Sequence, residues 1–448
     1  MSDNALFPIY DVEQGKQTIL NRPPIGDPAI SPSLAASIKK VHGADLTPME
    51  VAKRILDDVR LRGNKAVHHW TQTIDGLDPA EFAISGKEID EAHQNIEPEL
   101  RSALEQSAAR IQAFHQKQPN SSWQDWHDDG GMLGQIIRPL ERVGVYAPGG
   151  TALYPSTLLM CAVTARTAGV KEVVVTTPPD NVGQVNPVLL AAAKIAQVDE
   201  VYAIGGAQAI GALAYGTETI KKVDKIVGPG NIFVISAKQL VYGQVDIDGL
   251  PGPTETLIIA DESANPTLVA ADLLAQAEHD TQSAAILVTP SDTLAQAVQV
   301  EIGQQLEALS RADIIAESMQ GQGGAIICQN LPEAVSLSNL YAPEHLCLHV
   351  SNPWELVGLV EHAGGIFLGE HSYEVLGDYT AGPTHVMPTM GTARFASPLN
   401  LRDFTKVISL FGLSEQESKA IAPAAQRLAK AEGFDGHAKA IEHRRQKK

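Results

Sequence analysis

"KEVVVTTPPDNVGQVNPVLLAAAKIAQVDEVYAIGG", residues 171–206, sets a β-branched run, an Ala/Leu-rich helical stretch and a second short β-rich run in that order. A strand, a crossover helix and another strand make a βαβ unit on a parallel sheet. The rhythm continues on both sides. "STLLMCAVTARTAGV" (156–170) precedes the stretch, while "AQAIGALAYGT" (207–217), "VDKIVG" (223–228) and "IFVISAKQLVYG" (232–243) follow it. A second series begins near 254: "ETLIIAD" (255–261), "AAILVT" (284–289), "GGAIICQ" (323–329), "HLCLHV" (345–350) and "GIFLGE" (365–370), with helical stretches between. The glycines and prolines of "DIDGLPGPTET" (246–256) mark the boundary between the two. Two α/β units of related rhythm are consistent with a divergent duplication. Residues 1 to about 145 read mostly as helices, as does the segment from about 399, with "LSEQESKAIAPAAQRLAKAEG" at 413–433.

With 448 residues the chain can build several core-forming units. Its 44% hydrophobic and 19% charged residues are those of a soluble globular protein. A net charge of −19 argues against a nucleic-acid partner. No apolar run reaches the ~18 residues of a membrane span. The N-terminus "MSDNALFPIYDVEQGKQ" lacks a signal-peptide layout, so a cytoplasmic location is expected. Cys161, Cys328 and Cys347 show no metal or redox spacing and read as buried reduced thiols. The basic tail "HRRQKK" is most simply a solvated chain end.

Groups able to do chemistry lie in four places. "NLYAPEHL" (339–346) sets Glu344 beside His345 in an apolar stretch, either an acid/base pair or a polar break between helix and strand. "NPTLVAADLLAQAEHD" (265–280) reads as a helix with Asn265 as N-cap and Pro266 at its first position. Gln276 and His279 share a face at its far end, with a plain helix-end histidine as the alternative. "LGDYTAGPTHVMPT" (376–389) is a rigid loop carrying Asp378, Thr380, Thr384 and His385, the kind of segment that holds sites on an α/β scaffold. In "AEGFDGHAKAI" (431–441), Glu432 and His437 flank a helix break and read in isolation as surface residues. Imidazole, carboxylate and amide oxygen suit zinc, yet HExxH and CxxC are absent and spacing alone establishes no metal. The dinucleotide fingerprint G-x-G-x-x-G is absent too. "VGVYAPGGTALYPS" with Tyr146, "AIGGAQAIG" with Gln208 and "IVGPGNIF" with Asn231 are glycine turns, each able to meet a phosphate or simply to turn a strand into a helix.

"VGVYAPGG", "GGAQAIGALAYGT", "VDKIVGPGN", "DLLAQAEHD", "YAPEHL", "GDYTAGPTHVMPT" and "AEGFDGH" occur in the order found in histidinol dehydrogenases, and the chain resembles that family from about 35 to 443. The resemblance implies oxidation of L-histidinol to L-histidine, the last steps of histidine biosynthesis, with two NAD and a bound histidinaldehyde. It implies one zinc per site and a homodimer with intertwined subunits. The implied zinc ligands are Gln276, His279, Asp378 and His437, the last from the other subunit, and the implied acid/base pair is Glu344 and His345. Substrate contacts fall on Thr254, His385 and Glu432 beside these residues; NAD contacts fall on Tyr146, Gln208 and Asn231. The implied fold is α/β, with two incomplete Rossmann-like parallel-sheet domains and small helical terminal segments. On that pattern, 1–30 is an N-terminal arm, 31–145 with 254–398 the metal-bearing domain, 146–253 the NAD domain and 399–448 a helical dimerisation segment. Thr254 stands where many members have Ser, Thr384 where Asn is usual, and "FDGH", with Asp435 and Gly436, replaces "LTAH". The family also includes paralogues acting on other polar alcohols such as sulfonated diols; "ARFASPL" (393–399), Glu432 and His385 favour the histidine branch.

Overall fold

A computed structural model describes residues 6–22, 30–77, 79–149 and 153–446. They form a large unit, residues 1–117 with 141–404, and a small one, 118–140 with 405–448.

The large unit contains two parallel sheets. One comprises β4 (Arg142–Tyr146), β5 (Glu172–Thr177), β6 (Glu200–Ala203), β7 (Lys225–Val227) and β8 (Asp246–Ile247), in the order β6-β5-β4-β7-β8. The other comprises β1 (Ile9–Asp11), β9 (Glu255–Ala260), β10 (Ala284–Thr289), β11 (Gly324–Ile327), β12 (His345–His349) and β13 (Gly365–Leu368), in the order β1-β11-β10-β9-β12-β13. Setting β1 aside, each sheet places its third, second, first, fourth and fifth strands side by side, the Rossmann order without its sixth strand and with one switch point. This bears out the α/β reading with two parallel sheets, both of which lie in the one large unit. Strands buried on both faces read as continuous apolar runs. Accordingly Val173–Val175 and Leu257–Ile259 are all fully buried.

The helices Pro48–Arg62 and Asn64–Asp75 cover the β4 sheet: Val51, Ile55, Leu56, Val59 and Trp70 share one buried cluster with Ile204, Ile210 and Leu213. Of the segment expected as an arm, Ile9–Asp11 pair in parallel with β11, and Phe7 is fully buried against the other sheet's core. The three cysteines are free and buried. Among the described residues, no helix is long and apolar enough to cross a membrane.

The small unit is not wholly helical. β2 (Trp123–Trp126), β3 (Met132–Pro139) and β14 (Thr405–Gly412) form an antiparallel sheet, followed by the helices Glu415–Ala431 and Asp435–Gln446. β14 lies in a stretch whose pattern reads as helical; its eight-residue register with β3 comes from a segment more than 250 residues earlier, which no local pattern reports. Trp123, Trp126, Val407, Ile408, Phe411, Leu428 and Phe434 of this unit are exposed.

Candidate active site

The helix Leu331–Tyr341 stops at Ala342, which takes a left-handed conformation (φ 52°), and Pro343 bars its continuation. Glu344 and His345 follow at once, and His345 opens β12 beside Thr256 of β9. The pair is therefore a helix-to-strand break, but not only that. Both side chains are buried, at 6% and 3% exposure. Glu344 Oε2 accepts from the Thr254 hydroxyl (2.6 Å) and the Glu255 N–H (3.1 Å). Burial pushes the Glu344 carboxyl up to about 7, against the opposing pull of His345 and these donors. His345 Nδ1 lies 3.3 Å from the Glu255 carbonyl, which can only accept, so Nδ1 carries the proton. The Nε2 lone pair is then free: that atom is buried without a hydrogen-bond partner, 3.9 Å from Asp378 Oδ1. One ring nitrogen is thus tied to the backbone and the other is left bare, the arrangement a general base requires.

Ligand-type side chains gather round it. Gln276 lies in the last turn of the helix Pro266–Ala277; His279 lies in the turn just beyond, its N–H donating to Gln276 O (3.3 Å). The Gln276 amide spans the Glu374 carboxyl on one side and, on the other, the Thr254 hydroxyl, whose single proton goes to Glu344, and the Glu255 N–H, 3.1 Å from the amide. Glu374 is buried, and desolvation followed by Asp378 raises its carboxyl well above the usual range. Although the outer side of His279 meets solvent, surrounding protein lowers its pKa against the pull of Asp378 and favours the neutral, ligand-competent ring. Asp378 stands near the end of the helix Glu374–Tyr379, and its carbonyl accepts from His385 Nδ1 (2.7 Å). His385 Nε2 in turn accepts from the Thr157 hydroxyl (2.8 Å), in the first turn of the helix Pro155–Thr167 that follows β4. Thr384 turns back on its own loop, accepting from Val386 N–H (3.1 Å).

Glutamine oxygen, imidazole and carboxylate are the N/O donors zinc takes, and three in one unit leave room for a further ligand. Glu432 and His437 lie in the small unit, exposed on either side of Gly433. Among the described His, Cys, Asp and Glu side chains, the group that brings one ligand atom each within 4.8 Å of the others is a different one, His127, Asp129 and Glu417. That trio belongs to the small unit, and His127 is already paired with Glu417 at 2.5 Å.

Position in the sheet explains the electrostatics. Ligands of α/β sheets usually sit at the carboxyl ends of strands. Here Thr254, Glu344 and His345 stand at the amino ends of β9 and β12, where the helices carrying Gln276 and Tyr341 terminate. Helix C-termini point carbonyls and the negative end of the dipole, which favours a cation.

The β4 sheet presents its opposite end. Tyr146 ends β4, Gln208 lies in the first turn of the helix Gly206–Tyr215, and Asn231 caps the helix Ile232–Val241. The three line a cavity of about 480 Å³ with Asp75, Pro148, Gly205 and Phe233. Tyr146 hydroxyl accepts from Gly206 N–H (3.1 Å), and burial pushes its phenol up to about 12, so it stays neutral. Gln208 Nε2 reaches Asp75 (3.5 Å), leaving Oε1 buried without a partner. Asn231 Oδ1 accepts from Phe233 and Val234 N–H (3.1 and 3.2 Å). Gly228 (φ 107°) passes so close to β4 that a Cβ would lie 2.2 Å from Tyr146 O. Lys238, fully buried and paired with Asp248, donates to Gly228 O (2.8 Å) and holds this turn. Among the described residues, the lining contains no Lys or Arg. Two helix N-termini at a switch point, with an unpaired amide oxygen between them, fit the phosphates and hydroxyls of a dinucleotide.

Thr157, Glu255, Thr256, Glu374 and Arg22 are site residues that sequence reasoning missed. Each stands alone in its local pattern; only Glu255, next to Thr254, had a neighbouring signal.

A family model described as histidinol dehydrogenase matches residues 40–445. Histidinol dehydrogenase of Deinococcus radiodurans is 50% identical over 414 residues, covering 92% of this chain and 94% of that protein. That of Moorella thermoacetica is 51% identical over 394 residues, covering 88% and 93%. The crystal structure of histidinol dehydrogenase from Elizabethkingia anophelis superposes with a TM-score of 0.90 at 33% identity, covering 98% of each chain.

Proposed function

The chain belongs to the histidinol dehydrogenase family of NAD-dependent oxidoreductases, and on that premise we propose that it oxidises L-histidinol through L-histidinaldehyde to L-histidine with two NAD and one zinc per site. The observation that carries the reading is His345, with Nδ1 against the Glu255 carbonyl and Nε2 bare, next to a Glu344 carboxyl that burial tunes to about 7.

Zinc, when bound through Gln276, His279, Asp378 and His437, supplies a Lewis acid that orients the amino alcohol, and NAD, when bound beside Tyr146, Gln208 and Asn231, accepts hydride. His345 Nε2 takes the hydroxyl proton of the alcohol as hydride leaves carbon. Thr254 and Glu255 N–H hold Glu344 in one orientation, ready to take a proton from water as it adds to the aldehyde. His345 returns its first proton to the aldehyde oxygen as water adds, and is then free to accept the hydrate's hydroxyl proton in the second hydride transfer. The carbonyl-rich helix ends here suit a cationic substrate. His385, held between Asp378 O and Thr157, and Glu432 are assigned to its polar groups.

The test is NADH absorbance on adding L-histidinol, with sulfonated diols assayed in parallel. The expected result is two NADH per histidinol and little turnover of the diols; preferential diol turnover would refute the substrate. A chelator should abolish turnover and added zinc restore it, and full activity in metal-free protein would refute the ligand set.

We also assign a homodimer, with His437 and Glu432 serving the partner's site. The exposed aromatic and aliphatic side chains of the small unit support it, since large apolar side chains left in water are what a partner subunit covers. Light scattering should return a dimer mass; a monomer at micromolar concentration would sink this assignment.

A further inference from the structure

Arg22, 233 residues before Glu255 in the chain, makes the densest set of polar contacts around the Glu344 turn, although it touches neither Glu344 nor His345. Its Nε donates to Glu255 Oε1 (2.5 Å) and its Nη2 to Glu255 Oε2 (2.7 Å), a two-pronged pairing that an ammonium cannot reproduce. The same guanidinium donates to Tyr341 O, reaches Ala342 O (3.4 Å) and stacks over the Tyr341 ring at 3.5 Å. Arg394 Nη2 donates to the two preceding carbonyls, Asn339 O and Leu340 O (2.9 Å each). Successive carbonyls at the end of the helix Leu331–Tyr341 are thus held by two cations, which also offset the negative end of the helix. The next residues are the left-handed Ala342, Pro343 and then the acid/base pair.

The second half of the connection runs through Glu255. Its side chain is bound by Arg22 and by Met390 N–H (3.2 Å), while its backbone touches both catalytic groups. The Glu255 N–H donates to Glu344 Oε2 (3.1 Å), and the Glu255 carbonyl sets the His345 tautomer at 3.3 Å. The fit is tight as well: a Cβ on Gly391 would come within 3.0 Å of Arg22 Nη1.

We infer that Arg22 is a positioning residue for the reaction, bracing from one guanidinium both the turn that delivers Glu344 and His345 and the Glu255 backbone that orients them. This rests on the acid/base reading of that pair. Without Arg22, the Glu255 carboxylate is left buried with the Met390 N–H and no countercharge, and it must turn away or take up a proton. Either response moves the backbone against which Glu344 and His345 are aligned. Displacements on the order of 1 Å in such a set lower turnover by up to about 100-fold.

The test uses the full-length zinc-loaded enzyme with Arg22→Gln and Arg22→Lys. Both should lower kcat by about 10- to 100-fold while KM for the alcohol changes less than about threefold, with zinc content unchanged. Arg22→Lys keeps the charge but not the fork, so it should recover only part of the loss. A wild-type kcat in Arg22→Lys would overturn the inference, whether or not Arg22→Gln folds. So would activity that falls only in proportion to the folded fraction measured by thermal unfolding. Each ratio is taken against wild type on whichever alcohol wild type oxidises. Failure of the histidinol assignment therefore appears in the wild type, and failure of this inference appears in the ratio.

Discussion

His345→Asn will lower kcat for L-histidinol by about 10³-fold while leaving KM within a few-fold of wild type. The asparagine amide can still donate to the Glu255 carbonyl that His345 Nδ1 now meets at 3.3 Å, so the local fold keeps its anchor. What disappears is the bare Nε2 lone pair, the atom that is buried without a partner and free to take a proton. Steady-state kinetics together with zinc content checks the split. A large rise in KM with normal kcat would make His345 a binding residue instead.

Glu344→Gln will act on the other half of the reaction. One NADH per site should form at near wild-type rate, with the second slowed by about 10²-fold or more, because an amide cannot take a proton from water. Rapid mixing with limiting enzyme separates the two hydride transfers; equal slowing of both would place Glu344 in the first step as well. Stability supplies an independent check. The carboxyl is raised by burial to about 7 in the folded protein, above its unfolded value, so its protonated form is the one folding favours. Wild type therefore loses stability from this group as pH rises through about 7, and the glutamine variant does not. The thermal midpoint of the variant should gain on wild type between pH 5 and pH 8. Parallel curves would show that Glu344 is not desolvated in solution.

Much of this site was legible from residue order alone. Helix Pro266–Ala277 begins where Asn265 and Pro266 signal it, and the "VDKIVGPGN" turn carries glycine where a Cβ would strike Tyr146. These are local signals, set by backbone sterics and hydrogen bonds within a few residues. The same holds for the alternating strands and helices that make both parallel sheets. Glu344 and His345 were visible as a pair, but as a break or an acid/base set with equal right.

What favours the acid/base reading comes from tertiary structure, because burial and tautomer depend on neighbours distant in sequence. Glu255 N–H and O fix both side chains from 89 and 90 residues away, and Arg22 braces them from further still. The register of β14 with β3 and the packing of Val51–Trp70 on the β4 sheet likewise join segments that no periodicity links. The sequence by itself determined the alternating elements of the two parallel sheets and named the candidate side chains, since these follow from local sterics and side-chain chemistry. Only the folded chain decided which nitrogen of His345 is free, how far burial raises Glu344, and that one site gathers at the amino ends of β9 and β12 while a cavity opens at the carboxyl end of β4. Those are properties of burial and of facing helix ends, and they exist only once distant segments pack.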